Sequence, residues 1–194
     1  MTKPIRQFAP FFACAVVAAA ASLPAQQIPL HLDPASTQVE FTLGDILHTV
    51  HGTFRLKRGD MRFDPATGNA EGELVVDATS GASGSQGRDR RMHAGILESG
   101  RYPEIVFRPV RVEGKVASQG ASQVQVHGVF VIHGGEHEIT LPVEVEADGG
   151  QYTATTHFTV PYVKWGMKNP STFVLRVSDQ VEIGIHTVAR VPRP

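Results

Sequence analysis

The sequence predicts an all-β fold, an antiparallel barrel of about eight strands with one flanking amphipathic helix. Apolar and polar residues alternate with period two over most of the chain, as in residues 39–43 and 181–185. Turn-forming residues separate these stretches without intervening helical patterns, which favours antiparallel neighbours over crossover connections. The exception is residues 87–99, where Met92, Ile96 and Leu97 share one face of a helix.

The strands and turns follow from local patterns. The predicted strands cover residues 38–43, 49–56, 60–63, 71–78, 104–112, 123–132, 138–147, 152–160 and 172–186. Residues 57–60 and 64–69 are typical of hairpin turns, as are the glycines at 134–135 and 149–150. Residues 79–87 are rich in Gly and Ser and predict a flexible segment before the helix. The carboxylate of Asp89 lies where it would stabilise the N-terminus of that helix.

The N-terminal segment has the features of a secretory signal peptide. Lys3 and Arg6 precede a mostly apolar run at residues 8–21, and small residues follow as far as Ala25. The run is shorter than the roughly 20 residues of a membrane-spanning helix. We therefore expect residues 1–25 to be a cleaved signal peptide, residues 29–190 to form one domain, and the product to be periplasmic.

Composition excludes several kinds of site and partner. Cys14, the only cysteine, lies in the apolar run, so the mature chain would have neither disulfides nor a cysteine nucleophile. Removing Lys3 and Arg6 from 18 basic residues leaves 16 against 19 acidic ones, a net charge of −3. This net charge favours neither nucleic acid nor an anionic membrane as a partner. The mature sequence has no apolar stretch long enough to be a transmembrane segment.

Alternation places a Phe-rich, nearly uncharged set of side chains on the inner face of the predicted barrel. The candidate ligand-binding residues are Phe41, His51, Phe54, Phe63, Phe107, Phe158, Trp165 and Phe173. A small barrel either fills its interior with such side chains or leaves room for one ligand, and the sequence leaves both open. A ligand in such a pocket would be apolar, because a sugar or nucleotide needs charged or amide groups on that face.

Catalytic and metal-binding patterns find little support. His133 and His137 flank two glycines that break the helix of a His-Glu-x-x-His zinc site, and we expect both at solvated strand ends. The sequence also lacks a Gly-x-Ser-x-Gly nucleophile elbow. We therefore predict no enzymatic activity and no metal. His51, beside Gly52, is the better candidate for a polar group in a pocket, and Arg88 and Asp89 are expected to tie the helix to the barrel.

Several motifs occur in an order that resembles the YceI-like family of bacterial exported proteins. They are residues 33–41, 50–54 and 63–65, the Arg88-Asp89 pair with its apolar helix face, and residues 102–107, 131–134, 139–143 and 181–183. The resemblance covers about residues 30–188. Its most specific element is the arginine-aspartate pair, followed a helix later by Tyr102-Pro103 and a strand.

The resemblance implies a lipocalin-like barrel that binds a long polyisoprenoid chain, such as a quinone tail or isoprenoid lipid, for carriage, storage or envelope stress protection. No other cofactor is implied, and a homodimer is left open. The chain departs from the family pattern at residues 80–84, where a bulkier apolar residue and a threonine are usual. Residues 162–171 look like the Trp-Gly variant of some members.

Two other functions stay open on the sequence alone. One is a partner-binding barrel with a filled core, and the other is an exported hydrolase or isomerase that uses His51 with an acidic partner. A measured pocket volume distinguishes the filled-core barrel from a lipid-binding one. The hydrolase or isomerase requires that His51 face a pocket.

Overall fold

The computed structural model describes residues 27–44, 49–173 and 176–191. The signal peptide predicted for residues 1–25 lies outside the described residues. The nine strands are β1 (Ile28–Leu32), β2 (Gln38–Gly44), β3 (Thr49–Phe63), β4 (Ala70–Ala82), β5 (Glu104–Glu113), β6 (Gly120–Ile132), β7 (Gly135–Asp148), β8 (Gln151–Val160) and β9 (Val181–Arg190). A single 3₁₀ turn, Pro34–Ser36, separates β1 from β2.

Eight of these strands close into a barrel. Their order is β3-β2-β9-β8-β7-β6-β5-β4, and β4 pairs again with β3. Neighbouring strands run antiparallel, and the short β1 pairs with both β3 and β9 at one end. The predicted all-β, lipocalin-like antiparallel barrel of about eight strands with one helix is therefore confirmed.

The helix lies between β4 and β5. Helix α1 (Gln86–Arg91) continues into one π-helical turn (Met92–Ile96), and no helix in the described residues is long and apolar enough to cross a membrane. Met92, Ile96 and Leu97 pack into the larger hydrophobic cluster of the barrel interior. We call residues 83–103 the lid segment, because this apolar face covers one end of the barrel.

Three hairpins form where the sequence predicts them, and the turn at residues 64–69 joins β3 to β4. The β6–β7 turn has positive φ angles at His133 and Gly134 (51° and 76°), and the β7–β8 turn has them at Gly149 and Gly150 (55° and 89°). Two-residue turns with positive φ at both positions match the right-handed twist of the strands they join.

The hairpin predicted at residues 57–60 is wrong, because β3 runs through this segment. The β3–β4 register shifts between Leu56 and Arg58, which marks a bulge. Lys57 and Arg58 both face outward and donate to Glu104 Oε1, at 2.8 and 3.2 Å. Two successive outward residues interrupt the alternation, and in the sequence this interruption resembles a turn.

Three other boundaries differ from the prediction. Strand β1 was not predicted, and residues 79–82 continue β4 instead of forming a flexible loop. Residues 172, 173 and 176–180 precede β9 and belong to the β8–β9 loop, the name used here for the described residues 161–173 and 176–180. This loop is held by the Tyr162 hydroxyl, which donates to the Ser178 carbonyl at 2.6 Å, and by Asn169 Nδ2, which donates to the Val177 carbonyl at 3.2 Å.

Candidate ligand-binding site

The barrel interior holds two cavities, of about 350 Å³ and about 120 Å³. The first, the large cavity, lies at the end formed by β1, Pro65 and residues 116–118. The second, the lid cavity, lies beneath Met92, Ile96 and Leu97 of the lid segment. Their combined volume falls within the range of small-molecule sites, roughly 300–1,000 Å³.

The two cavities are neighbours along the barrel. The residues that line both are Val39, Val76, Ile105, Phe130, Phe158 and Ile185. The rings of Phe130 and Phe158 meet edge to face, with centroids 6.0 Å apart and planes at 77°. This ring pair therefore stands at the boundary between the two cavities.

Five of the predicted site residues line these cavities. Phe63 and Phe107 face the large cavity, Phe41 and Phe54 face the lid cavity, and Phe158 faces both. Period-two alternation on the strands brings them together, because every second side chain of a barrel strand points inward.

Glycines on neighbouring strands make room for three of these rings. A β-carbon at Gly81 would approach the Phe54 ring to 2.5 Å, and one at Gly128 would approach the Phe107 ring to 2.6 Å. A β-carbon at Gly52 would likewise collide with the ring of Phe41, its cross-strand partner. Sequence analysis missed these glycines, because the pairing register of neighbouring strands decides which ring each glycine faces.

His51 lies on the outer surface of the barrel, so its predicted place in a pocket is wrong. Gly52 pairs with Phe41 and faces inward, which turns His51 outward. The His51 Nδ1 lies 3.0 Å from the Thr42 hydroxyl, at an exposed position. The alternation already contained this information, because His51 and Phe54 are three residues apart and belong to opposite faces.

Phe173 is fully exposed in the β8–β9 loop, and its predicted interior position is also wrong. The prediction extended the strand back to residue 172, whereas β9 begins at Val181. The period-two alternation of β9 does not extend back to Phe173 and therefore does not place this residue on the inner face of the sheet.

Trp165 lines neither cavity but closes the interior beside Phe130, with ring centroids 5.8 Å apart. It also stacks on His137, with centroids 4.0 Å apart and planes at 5°. His137 pairs across the sheet with Phe130 and therefore faces inward, which corrects the expected solvated position. Its Nε2 is buried without a hydrogen-bond partner in the described part of the chain, and burial lowers the pKa of this imidazole.

Arg88 and Asp89 tie the helix of the lid segment to Ser83, the residue that follows the end of β4. The Asp89 carboxylate accepts hydrogen bonds from the Ser83 amide at 2.9 Å and the Ser83 hydroxyl at 2.5 Å. Arg88 donates to the Ser83 hydroxyl and carbonyl at 2.7 and 3.0 Å. The hydrogen bond from the Ser83 side chain holds the pKa of Asp89 below its usual range. Both side chains therefore position the lid and do not face the ligand space.

His93 makes a second tie between the lid and the barrel. Its Nε2 lies 2.9 Å from the Gly81 carbonyl, and its Nδ1 lies 3.0 Å from the Ser99 hydroxyl. The helical part of the lid is thus held by Ser83 near its start and by the Gly81 carbonyl of β4 through His93.

Polar groups in the cavity walls mostly bond to the protein itself. The Thr37 and Thr187 hydroxyls lie 2.7 Å apart, Thr156 donates to the Pro142 carbonyl at 2.6 Å, and Tyr162 donates to Ser178. Burial raises the pKa of Tyr162 to about 12. Among the described residues, no Asp, Glu, His, Lys or Arg lines either cavity, and no group of three metal-ligating side chains occurs.

Known proteins share this architecture. BcnA from Burkholderia cenocepacia superposes with a TM-score of 0.67 at 19% identity, covering 81% of this chain and 98% of its own. A polyisoprenoid binding domain from Saccharophagus degradans, implicated in plant cell wall breakdown, gives 0.65 at 16% identity, covering 85% and 99%. The Campylobacter jejuni YCEI protein gives 0.62 at 17% identity, covering 76% and 88%. At these identities the likeness establishes the fold.

No protein of curated function matches the chain by sequence. The sequence model of the YceI-like domain, by contrast, matches residues 30–189, which is most of the chain and agrees with the motifs noted above. The chain therefore belongs to the YceI-like family.

Proposed function

We propose that this protein binds a long apolar lipid in the two barrel cavities, and that the lipid is a polyisoprenoid, such as the tail of an isoprenoid quinone. The observation that carries the proposal is the pair of adjoining cavities whose described lining has no charged side chain. The structural likeness to a polyisoprenoid binding domain supports the same ligand class.

The size of the ligand follows from the energetics of apolar binding. Each buried methylene contributes about 0.8 kcal/mol, whereas association costs about 4–15 kcal/mol. A ligand held mainly by apolar contacts therefore needs on the order of ten or more buried carbons. A chain of several prenyl units supplies them and can extend past the Phe130–Phe158 boundary into both cavities.

The alternatives are less well supported. A filled-core barrel leaves little empty volume, whereas this interior has cavities of about 350 and 120 Å³. A hydrolase or isomerase built on His51 would have its base outside the barrel, because His51 is exposed on the outer face. The proposed role is therefore binding without turnover, for carriage, storage or stress protection, and the N-terminal pattern supports a periplasmic location.

Organic extraction of the purified protein, followed by mass spectrometry, tests the proposal directly. We expect a prenyl lipid to co-purify with the wild-type protein. Ala154→Phe, which fills part of the large cavity, should fold and carry less lipid. Ala121→Phe, on the exposed outer face of β6, is the matched control and should carry as much lipid as wild type. Wild-type protein that neither carries nor takes up any prenyl lipid would contradict the proposal.

A further inference from the structure

The lid end of the barrel carries most of the positive charge outside the barrel wall. The lid segment, residues 83–103, has four basic residues and two acidic ones, and the β8–β9 loop has three basic residues and one acidic. The two segments together have a net charge of +4, although the whole chain has a net charge of −1. The net charge of the whole chain therefore does not reveal the positive charge concentrated in these two segments.

Five cations of these two segments are exposed and unpaired. They are Arg90, Arg91, Lys164, Lys168 and Arg176. Within the described parts of the chain, none of the five makes an ion pair or a side-chain hydrogen bond.

The cations of the barrel wall are bound differently. Lys57 and Arg58 contact Glu104, Arg62 contacts Glu71, and Arg108 contacts Glu136, at N–O distances of 2.8 to 3.4 Å. Carboxylates thus compensate these four wall cations, whereas the five lid-end cations have no carboxylate partner in the described part of the chain.

An exposed aromatic side chain lies in the same loop as three of these cations. Phe173 is fully exposed, and the other exposed large apolar residue in the described chain is Val110, on the β5 wall. Basic side chains around an exposed aromatic ring are typical of peripheral contacts with an anionic bilayer, where the cations approach the headgroups and the ring enters the interface.

The surface also lies over the ligand space. Tyr162 and Met167 of the β8–β9 loop line the lid cavity together with Met92 and Ile96 of the lid segment. The elements that would touch a bilayer are therefore the ones that cover the cavity.

We propose that the lid end, formed by the lid segment and the β8–β9 loop, docks on the surface of an anionic lipid bilayer. Arg90, Arg91, Lys164, Lys168 and Arg176 contact the headgroups, and Phe173 inserts among them. Each cation near such a surface strengthens binding roughly fivefold. This inference goes beyond the proposed lipid binding and does not require an occupied cavity.

Vesicle co-sedimentation tests the proposal with vesicles of phosphatidylglycerol and phosphatidylcholine, and of phosphatidylcholine alone. We expect wild-type protein to bind the anionic vesicles, and binding to weaken as salt shortens the screening length. The triple variant Lys164→Glu/Lys168→Glu/Arg176→Glu should bind at least tenfold more weakly. All variants are prepared with the same N-terminus, so any contribution of residues 1–26 is common to them.

The matched control reverses three cations away from the lid end, in Arg62→Glu/Lys115→Glu/Arg190→Glu, and changes net charge by the same amount. It should bind vesicles far better than the lid-end triple variant. Phe173→Ser should weaken the binding that survives high salt, whereas Val110→Ser should not. Circular dichroism checks that every variant folds.

Three results would overturn the proposal. One is equal binding to anionic and neutral vesicles, and another is an equal loss in the two triple variants. The third is binding to a single-stranded RNA that is tighter than binding to vesicles and that the lid-end triple variant weakens. This result would identify a nucleic-acid surface. Lipid extraction from the same preparations shows separately whether the cavity is occupied, so failure of this proposal and failure of the proposed lipid binding remain distinguishable.

Discussion

His137 lies flat against Trp165 at the lid end of the interior, with its Nε2 buried and unpartnered among the described residues. The stack closes the interior beside Phe130, whose ring lies 5.8 Å from Trp165. Burial at this position disfavours the charged imidazole and so lowers the pKa of His137. The stack therefore makes the stability of the protein sensitive to acid.

We predict that His137→Phe removes part of this sensitivity. Because the folded-state pKa of His137 is lowered, the unfolded chain binds a proton near pH 6.5 while the folded protein does not. The wild-type protein thus loses stability as the pH falls below about 6.5 towards the folded-state pKa. The Phe variant keeps the ring contact and lacks this titration. Urea unfolding at about pH 7.5 and pH 5 should show a smaller acid loss in the variant; identical losses would contradict the prediction.

A second prediction concerns Gly52, which lies beneath the Phe41 ring. Gly52→Ala should destabilise the fold by about 1–3 kcal/mol, because the methyl group would collide with the Phe41 ring, which lines the lid cavity, and would lie 2.5 Å from the Ala82 carbonyl oxygen. Gly44→Ala, where a β-carbon meets nothing within 4 Å, is the control and should be nearly neutral. Adding Phe41→Leu to Gly52→Ala should cost less than the sum of the two single changes. Additive effects in thermal or urea unfolding would show that the ring does not rest on Gly52.

A third prediction concerns the tether of the lid. Asp89→Ala removes both hydrogen bonds from Ser83, so amide hydrogen exchange should become faster across residues 83–97 while strand amides stay protected. The tether should also weaken in acid, because a carboxylate with a lowered pKa contributes stability above its unfolded value and loses it as the pH falls through the folded one. Unchanged exchange in the lid of the variant would argue against this role of Asp89.

A fourth prediction concerns export. The order of Lys3, Arg6, the apolar run and the small residues predicts a mature N-terminus between about residues 22 and 28. Intact-mass measurement of protein from the exporting cell gives the N-terminus directly. Retention of Met1 would rule out cleavage at this site.

Alternation on single strands predicted much of the interior. It placed Phe41, Phe54, Phe63, Phe107 and Phe158 on the inner face, because each lies in a strand whose alternate side chains point inward. Whether that interior is filled or hollow depends on how rings and glycines meet across strands. One strand's pattern does not contain that information.

The errors arose where alternation was interrupted or misapplied. The bulge at Lys57 and Arg58 resembles a turn, because two outward residues follow each other. The segment around Phe173 alternates like a strand, yet side-chain hydrogen bonds such as that from Asn169 to Val177 hold it as a loop. Strand β1 is short and contains Pro29, which lowers its strand signal.

The pairing of β2 with β9 also constrains when this molecule can be completed. Residues 38–42 find their partners in residues 182–186, near the other end of the chain. At roughly 5–20 residues per second, the ribosome needs on the order of ten to thirty seconds to make the intervening sequence. Until then β2 has only one of its two final neighbours, β3, and the barrel around the Phe-rich face is not closed. Closure of the barrel therefore has to follow synthesis of β9, an order compatible with the export that the N-terminal pattern predicts.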